Sequence, residues 1–158
     1  MASSRQKWLD ALRSFRRGRP LPADLSTLVD DPSPVIRLCV AGVRWAESGE
    51  ALMAQGAAAV AIRSGDRDAV IHGCHLLAEL GIVAGDIVPL VWGLLRHPDG
   101  IVRGNAAFAL YKCCTDKQVL RKAAGLLQAD TGNGLSDALI QYAAHKLRKA
   151  AESNPNPT

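Results

Sequence analysis

His72, Cys74 and His75 form the densest cluster of potential metal ligands or bases in the chain, and Cys113 and Cys114 stand side by side further on. His72 and His75 are three residues apart, which brings both imidazoles near one face of a helix. Two adjacent cysteines on a helix cannot point the same way. A metal centre needs three or four convergent ligands and a supporting shell, so His72 and His75 read as partly exposed polar residues and no metal is expected. Asp66, Asp68, Glu79 and Asp86 lie close in sequence and are candidates for paired acid–base chemistry. Three of them, Asp66, Asp68 and Asp86, fall where helices are predicted to start. There a carboxylate accepts from free N–H groups and complements the helix dipole. The chain contains no Gly-rich phosphate loop, nucleophile elbow or metalloprotease signature. The expectation is a protein without catalytic residues or a cofactor, and not an enzyme.

The elements that carry these residues are helical throughout. Trp8, Leu9, Leu12 and Phe15 recur at helical spacing among Arg5, Lys7, Arg13, Arg16 and Arg17, which predicts an amphipathic helix over 3–17, ended by Gly18, Pro20 and Pro22. A short second helix, capped near Asp24, holds Leu25, Leu28 and Val29. Further helices are predicted near 34–47, 50–63, 67–80, 85–96, 99–113, 116–128 and 135–151. They are separated by Ser48-Gly49, Ser64-Gly65-Asp66, Gly81 with Gly85-Asp86, His97-Pro98-Asp99, Thr115-Asp116 and the connection TGNG at 131–134. No segment keeps the alternation of a strand, so the fold class is all-α. The tail SNPNPT, from Ser153 onward, is expected to be disordered.

Composition agrees with thin helix-on-helix packing, because 48% of residues are hydrophobic while only 4% are aromatic. The longest apolar runs, AAAVAI at 57–62 and IVPLVWGLL at 87–95, fall far short of the ~18 residues of a membrane span, so no membrane partner is expected. The N-terminus lacks the apolar core and small-residue cleavage site of a secretory signal. Cys39, Cys74, Cys113 and Cys114 sit inside apolar helical runs, where a free thiol acts as a small hydrophobe. Both features predict a cytoplasmic protein.

A phrase recurs along the chain. DPSPVIRLCVAGVRWAES at 31–48 returns as HPDGIVRGNAAFALYKC at 97–113, and the 66 residues between Arg37 and Arg103 are twice 33. Val70-Ile71-His72 supplies a copy between them, with His72 placed 35 residues after Arg37 and 31 before Arg103. Periodicity of this length predicts stacked helical repeats, about 22–47, 50–80, 85–113 and 116–151, inside a single domain 1–152 whose N-terminal helix caps one end.

The segment IVPLVWGLLRHPDGIVRGNAAFALYKC, an apolar helix, a Pro-Asp turn and then Val-Arg-x-x-Ala-Ala-x-Ala-Leu, resembles a HEAT repeat, and PSPVIRLCVAGV resembles another. The resemblance is close in the first and third repeats and loose in the second and fourth, where His72 and Ile140 stand in place of Arg. It implies a right-handed α-α superhelix, a HEAT-like solenoid of about four helix pairs. It also implies that Asp31 with Arg37, and Asp99 with Arg103, form a hydrogen-bonded ladder between successive repeats. Such a motif specifies a scaffold more than a function. In a HEAT-like array the outward stripe of the second helices lines the concave face. Helical spacing predicts that this stripe holds Arg37, Arg44, His72, His75, Glu79, Arg103, Lys112, Gln141, His145 and Arg148.

Charge is unevenly spread. Residues 1–20 carry six bases and one acid, 21–100 five and ten, and 101–158 eight and four, for a net charge of +4. The mixed polarity of the stripe, basic with Glu79 interrupting it, suits an acidic protein surface better than uniform phosphate tracking. The expected function is therefore non-enzymatic: a protein-binding scaffold, adaptor or inhibitor, including an immunity-type inhibitor. A DNA-binding or DNA-repair protein is the alternative, since some HEAT-like bacterial glycosylases use a basic concave face with Trp and Asp. Trp45 and Trp92 match no catalytic partner, however. A bilin-lyase-like relative is a weaker alternative, with no residue singled out for a chromophore.

Overall fold

The computed structural model describes residues 3–81, 84–128 and 135–153. Among the described residues all regular structure is helical: α1 (Ser4–Phe15), α2 (Pro34–Ser48), α3 (Ala51–Arg63), α4 (Arg67–Leu80), α5 (Ile87–Gly93), α6 (Gly100–Cys113), α7 (Lys117–Gln128) and α8 (Leu135–Glu152), with 3-10 turns at Leu25–Leu28 and Leu94–Arg96. None of these helices is long and apolar enough to cross a membrane. The TGNG connection and the residues from Asn154 onward lie outside the described residues. Ser153, expected in the disordered tail, still closes α8 through its amide bond to the Lys149 carbonyl at 3.1 Å.

The helix ends follow from side-chain chemistry. Ser3, Ser33 and Asp99 cap α1, α2 and α6 by accepting from amides in the first turn, and Asp66 and Asp116 do the same for α4 and α7 at 2.8 Å. Gly49 ends α2 at φ 77°, where its N–H donates to the Trp45 carbonyl at 2.7 Å; a left-handed residue there favours glycine. The helix expected over 85–96 is interrupted. After α5 the chain tightens into one 3-10 turn and then extends at His97, ψ 140°, because the residue before Pro98 is driven out of the helical region.

The chain divides into two compact units, Met1–Leu76 and Leu77–Thr158. In the first, α1 and α3 both pack on α2, and the Leu25–Leu28 turn rests on α2 as well. Its core holds Trp8, Leu12, Leu38, Val43, Ala58 and Ile62. In the second, α5 packs on α6, while α8 packs on both α6 and α7. Small residues permit that approach: a Cβ on Gly104 would stand 2.5 Å from Leu139 Cγ.

The caps Ser33, Asp66 and Asp99 are spaced by 33 residues. The two Arg-bearing turns are built alike. Asp31 Oδ1 accepts from Ser33 N at 2.9 Å, and His97 Nδ1 accepts from Asp99 N at 3.1 Å. Arg37 Nη1 then donates to the Asp31 carbonyl, and Arg103 Nη1 to the His97 carbonyl at 2.7 Å and the Pro98 carbonyl at 2.9 Å. Each arginine thus closes the turn that precedes its own helix. The acids are not equivalent, since Asp31 stands six residues before its Arg and Asp99 four.

Counted from the caps, the α4 residue equivalent to Arg37 and Arg103 is Val70, buried at 3% exposure, and not His72. Matching the Val-Ile pairs instead slips the register by two residues. Two residues turn a helix by about 200°, so His72 belongs to a different face from Arg37.

Candidate functional site

The predicted stripe is divided by the structure. In α4, His72 stands edge-on to Phe15 of α1, ring centroids 5.0 Å apart, and His75 stands edge-on to His72 at 5.7 Å. Burial holds the His72 imidazole below its ordinary pKa. The charges of His75 and Lys7 push the same way, and Asp68 opposes them. Helix α1 is seated on α2 beside them, with the Trp8 ring over Gly42 and Arg5 Nε 2.7 Å from Glu47 Oε1. The N-terminal helix expected to cap an end of a stack therefore covers α2 and reaches the histidine face of α4. His72, His75 and the half-buried Glu79, one turn on in α4, share that face. Cys74 is buried at 1% exposure, and among the described residues no group of three or more His, Cys, Asp or Glu side chains is arranged to hold a metal ion.

Arg37 and Arg44 face elsewhere. Together with Val40 and Ala41 they form one wall of a groove in the N-terminal unit. The opposite wall is Met53, Ala57 and Val60 of α3, and Val29 and Pro34 close one end. The groove's volume is about 200 Å³. The two walls follow helical logic: 37, 40/41 and 44 on α2, and 53, 57 and 60 on α3, are the i, i+3/i+4, i+7 positions of an apolar packing seam. Among the described residues of the unit the α3 seam stays open, with Met53 47% and Val60 51% exposed, and Val29 at the groove's end is 37% exposed. The only charges among the lining residues are the two guanidiniums. Arg37 is held by its turn, whereas among the described residues no ion pair or hydrogen bond holds the Arg44 side chain. Asp24 feels the charge of Arg44, although its carboxyl is lowered chiefly by the bonds that it accepts from Ser26 Oγ and N. Glu47, Ser48 and Glu50 border a shallower extension beyond Arg44 and Met53.

In the C-terminal unit Arg103 is committed to the His97-Pro98 turn. Lys112 is exposed at the end of α6, its Nζ 5.9 Å from the Phe108 ring and 5.5 Å from that of Tyr111. Gln141, His145 and Arg148 are all exposed along α8 at i, i+4 and i+7, so this part of the predicted stripe shares one side of its helix. Nearby, Lys146 Nζ lies 5.3 Å from the ring of Tyr142, which is 51% exposed.

The groove's α3 wall was missed in the sequence because the helix MAQGAAAVAI is apolar on more than one side. Ala54, Ala58 and Ala61 point into the core, and Met53, Ala57 and Val60 form a second stripe that the first one masks. Two apolar stripes on one short helix are the signal for a second packing neighbour. Compared with protein-family models, curated proteins and solved structures, the chain matches none of them.

Proposed function

We propose that the chain is a non-enzymatic protein-binding module, a small cytoplasmic HEAT-like solenoid of four helix pairs that grips an acidic partner. The repeat reading is supported by the 33-residue spacing of the caps Ser33, Asp66 and Asp99 and by the like construction of the turns at 31–37 and 97–103. The observation that carries the binding reading is the groove between α2 and α3: an apolar floor, a half-exposed wall of Met53 and Val60, and two guanidiniums without an acid among its lining residues. Soluble proteins seldom leave such a seam open unless something docks there. A partner with apolar and carboxylate side chains satisfies it.

The test is affinity capture from lysate with the full chain, followed by the same capture with Arg44→Glu and with Lys112→Glu plus Arg148→Glu. Retention of a defined protein by the native chain, weakened by one of these reversals, supports the reading. Capture of nothing beyond a heat-denatured control sinks it. A second reading, nucleic-acid binding, draws on the pairing of Lys112 with Phe108 and Tyr111 and of Lys146 with Tyr142, since base stacking uses aromatic and basic side chains together. It requires affinity for single-stranded DNA that falls linearly in log–log form with salt.

A further inference from the structure

The groove occupies a particular place in the repeat. Counted from the caps, the four α2 wall residues Arg37, Val40, Ala41 and Arg44 correspond to Val70, Gly73, Cys74 and Leu77 of α4 and to Arg103, Ala106, Ala107 and Leu110 of α6. In α4 these positions are buried, and Gly73 packs on the helix that precedes it: a Cβ there would lie 3.1 Å from Ile62 Cγ1 and 3.2 Å from the Ala58 carbonyl, both in α3. In α6 the residues Ala106, Ala107 and Leu110 are wholly buried, and the preceding α5 and its 3-10 turn pack on α6. Between α1 and α2 the chain offers no comparable helix. The segment between α1 and α2 contributes one four-residue 3-10 turn, Leu25–Leu28, while α3 and α7 have 13 and 12 residues. Helix α1 does not fill the position, because it sits on the Gly42 side of α2.

We infer that the α2–α3 groove is the vacant seat of a first helix and that it binds an amphipathic helix donated by a partner protein. The inference rests on the repeat and protein-binding reading above and names the form of the ligand. A helix is the shape that two parallel seams of i, i+3/i+4, i+7 residues accept. Its side chains follow from the walls. Small or branched apolar residues meet Val40, Ala41, Met53, Ala57 and Val60, and carboxylates one or two turns apart meet Arg44 and the free edge of the Arg37 guanidinium. Arg37 and Arg44 are seven residues apart on α2, about 10 Å along its axis, so an acid pair at i, i+7 matches them.

The experiment is selection of a displayed peptide library on the full chain. The peptides are about as long as the 13 residues of α3, with helical apolar spacing and Asp, Glu, Lys or Gln at the remaining positions. Counter-selection uses the Met53→Glu, Val60→Glu variant, whose changes fall on exposed side chains, and its folding is checked by its melting curve. The enriched peptides are expected to become helical on binding and to carry carboxylates. They lose at least about ten-fold in affinity against Arg44→Glu, the loss of one anchor, and recover when the facing peptide acid is changed to Arg. Enrichment of extended peptides, or of peptides that bind the Met53→Glu, Val60→Glu variant as tightly, overturns the inference. So does failure to enrich any peptide over that variant. Concentration-dependent dimerisation lost in the same variant, without peptide enrichment, assigns the groove to a second copy and also overturns it. A partner captured from lysate and retained by all the groove variants leaves the protein-binding reading standing while refuting the helix-in-groove assignment.

Discussion

Substituting Gly42 by Ala tests the seat of α1 directly. A Cβ there would lie 2.5 Å from Trp8 Cδ2, 2.8 Å from Cγ and 2.9 Å from Cε2, against the roughly 3.5–4.0 Å of a relaxed carbon–carbon contact. The overlap is about 1 Å, and neither side yields easily. Gly42 is in the middle of α2, and Trp8 is a rigid ring only 1% exposed. Overpacking of this kind costs about 1–3 kcal/mol. The loss also has a ceiling, because a chain that cannot accommodate the methyl releases α1 and keeps the rest. That ceiling is the docking energy of α1, drawn mainly from burial of Trp8 and Leu12 at about 1.5–3 kcal/mol per large apolar side chain. For a chain of this size the midpoint falls by about 2–4 °C per kcal/mol, so a drop of about 2–12 °C is expected. The assay is thermal unfolding followed by circular dichroism, with Trp8 fluorescence read in a background where Trp45 and Trp92 are Phe. Gly42→Ala lowers the midpoint and shifts Trp8 emission to the red, and adding Trp8→Leu recovers part of the midpoint. An unchanged midpoint together with unchanged emission would refute the placement of α1 on α2.

Other outcomes are equally specific. Because burial lowers the His72 pKa, the folded state favours the neutral ring; its stabilisation is whole above about pH 6.5 and is lost as the pH falls through that value toward the folded pKa. The melting midpoint of the native chain should therefore fall more between roughly pH 7 and pH 5 than that of His72→Gln, and equal slopes would contradict this. Burial pushes Cys39 up to about 12 and, with help from neighbouring Cys114, Cys113 up to about 11. A thiol reagent at neutral pH should leave both untouched until denaturant is added, and rapid labelling of Cys39 in the folded chain would show that its burial is wrong. Arg103→Met frees the carbonyls of His97 and Pro98 from a charged donor and should cost about 1.5–3 kcal/mol in denaturant titrations. A loss below about 0.5 kcal/mol would mean that water replaces the guanidinium without penalty.

Helix boundaries were legible because they are local. Ser33, Asp66 and Asp99 cap, Gly49 and Gly81 adopt positive φ, and Pro98 stops what precedes it, each acting within a few residues of its own position. The even spacing of the caps is present in the sequence too, but the repeated Val-Ile pairs are the more conspicuous pattern, and those are displaced by two residues in α4. Aligned on those pairs, His72 falls in register with Arg37, whereas in the fold the two side chains border different neighbours.

By itself, then, the sequence determined that the described chain is all helix, where nearly every helix begins and ends, and that its thiols sit within apolar runs. Those properties depend on caps, turns and periodicity that act over one or two helical turns. Only the tertiary structure decided which faces are used. It placed Trp8 against Gly42, 34 positions away in the chain, joined Phe15 to His72, and left Met53 and Val60 open beside Arg44. The physical reason is that a helix apolar on two sides, such as α3, states how many neighbours it can take, while the packing of distant segments settles which of those places the chain fills for itself.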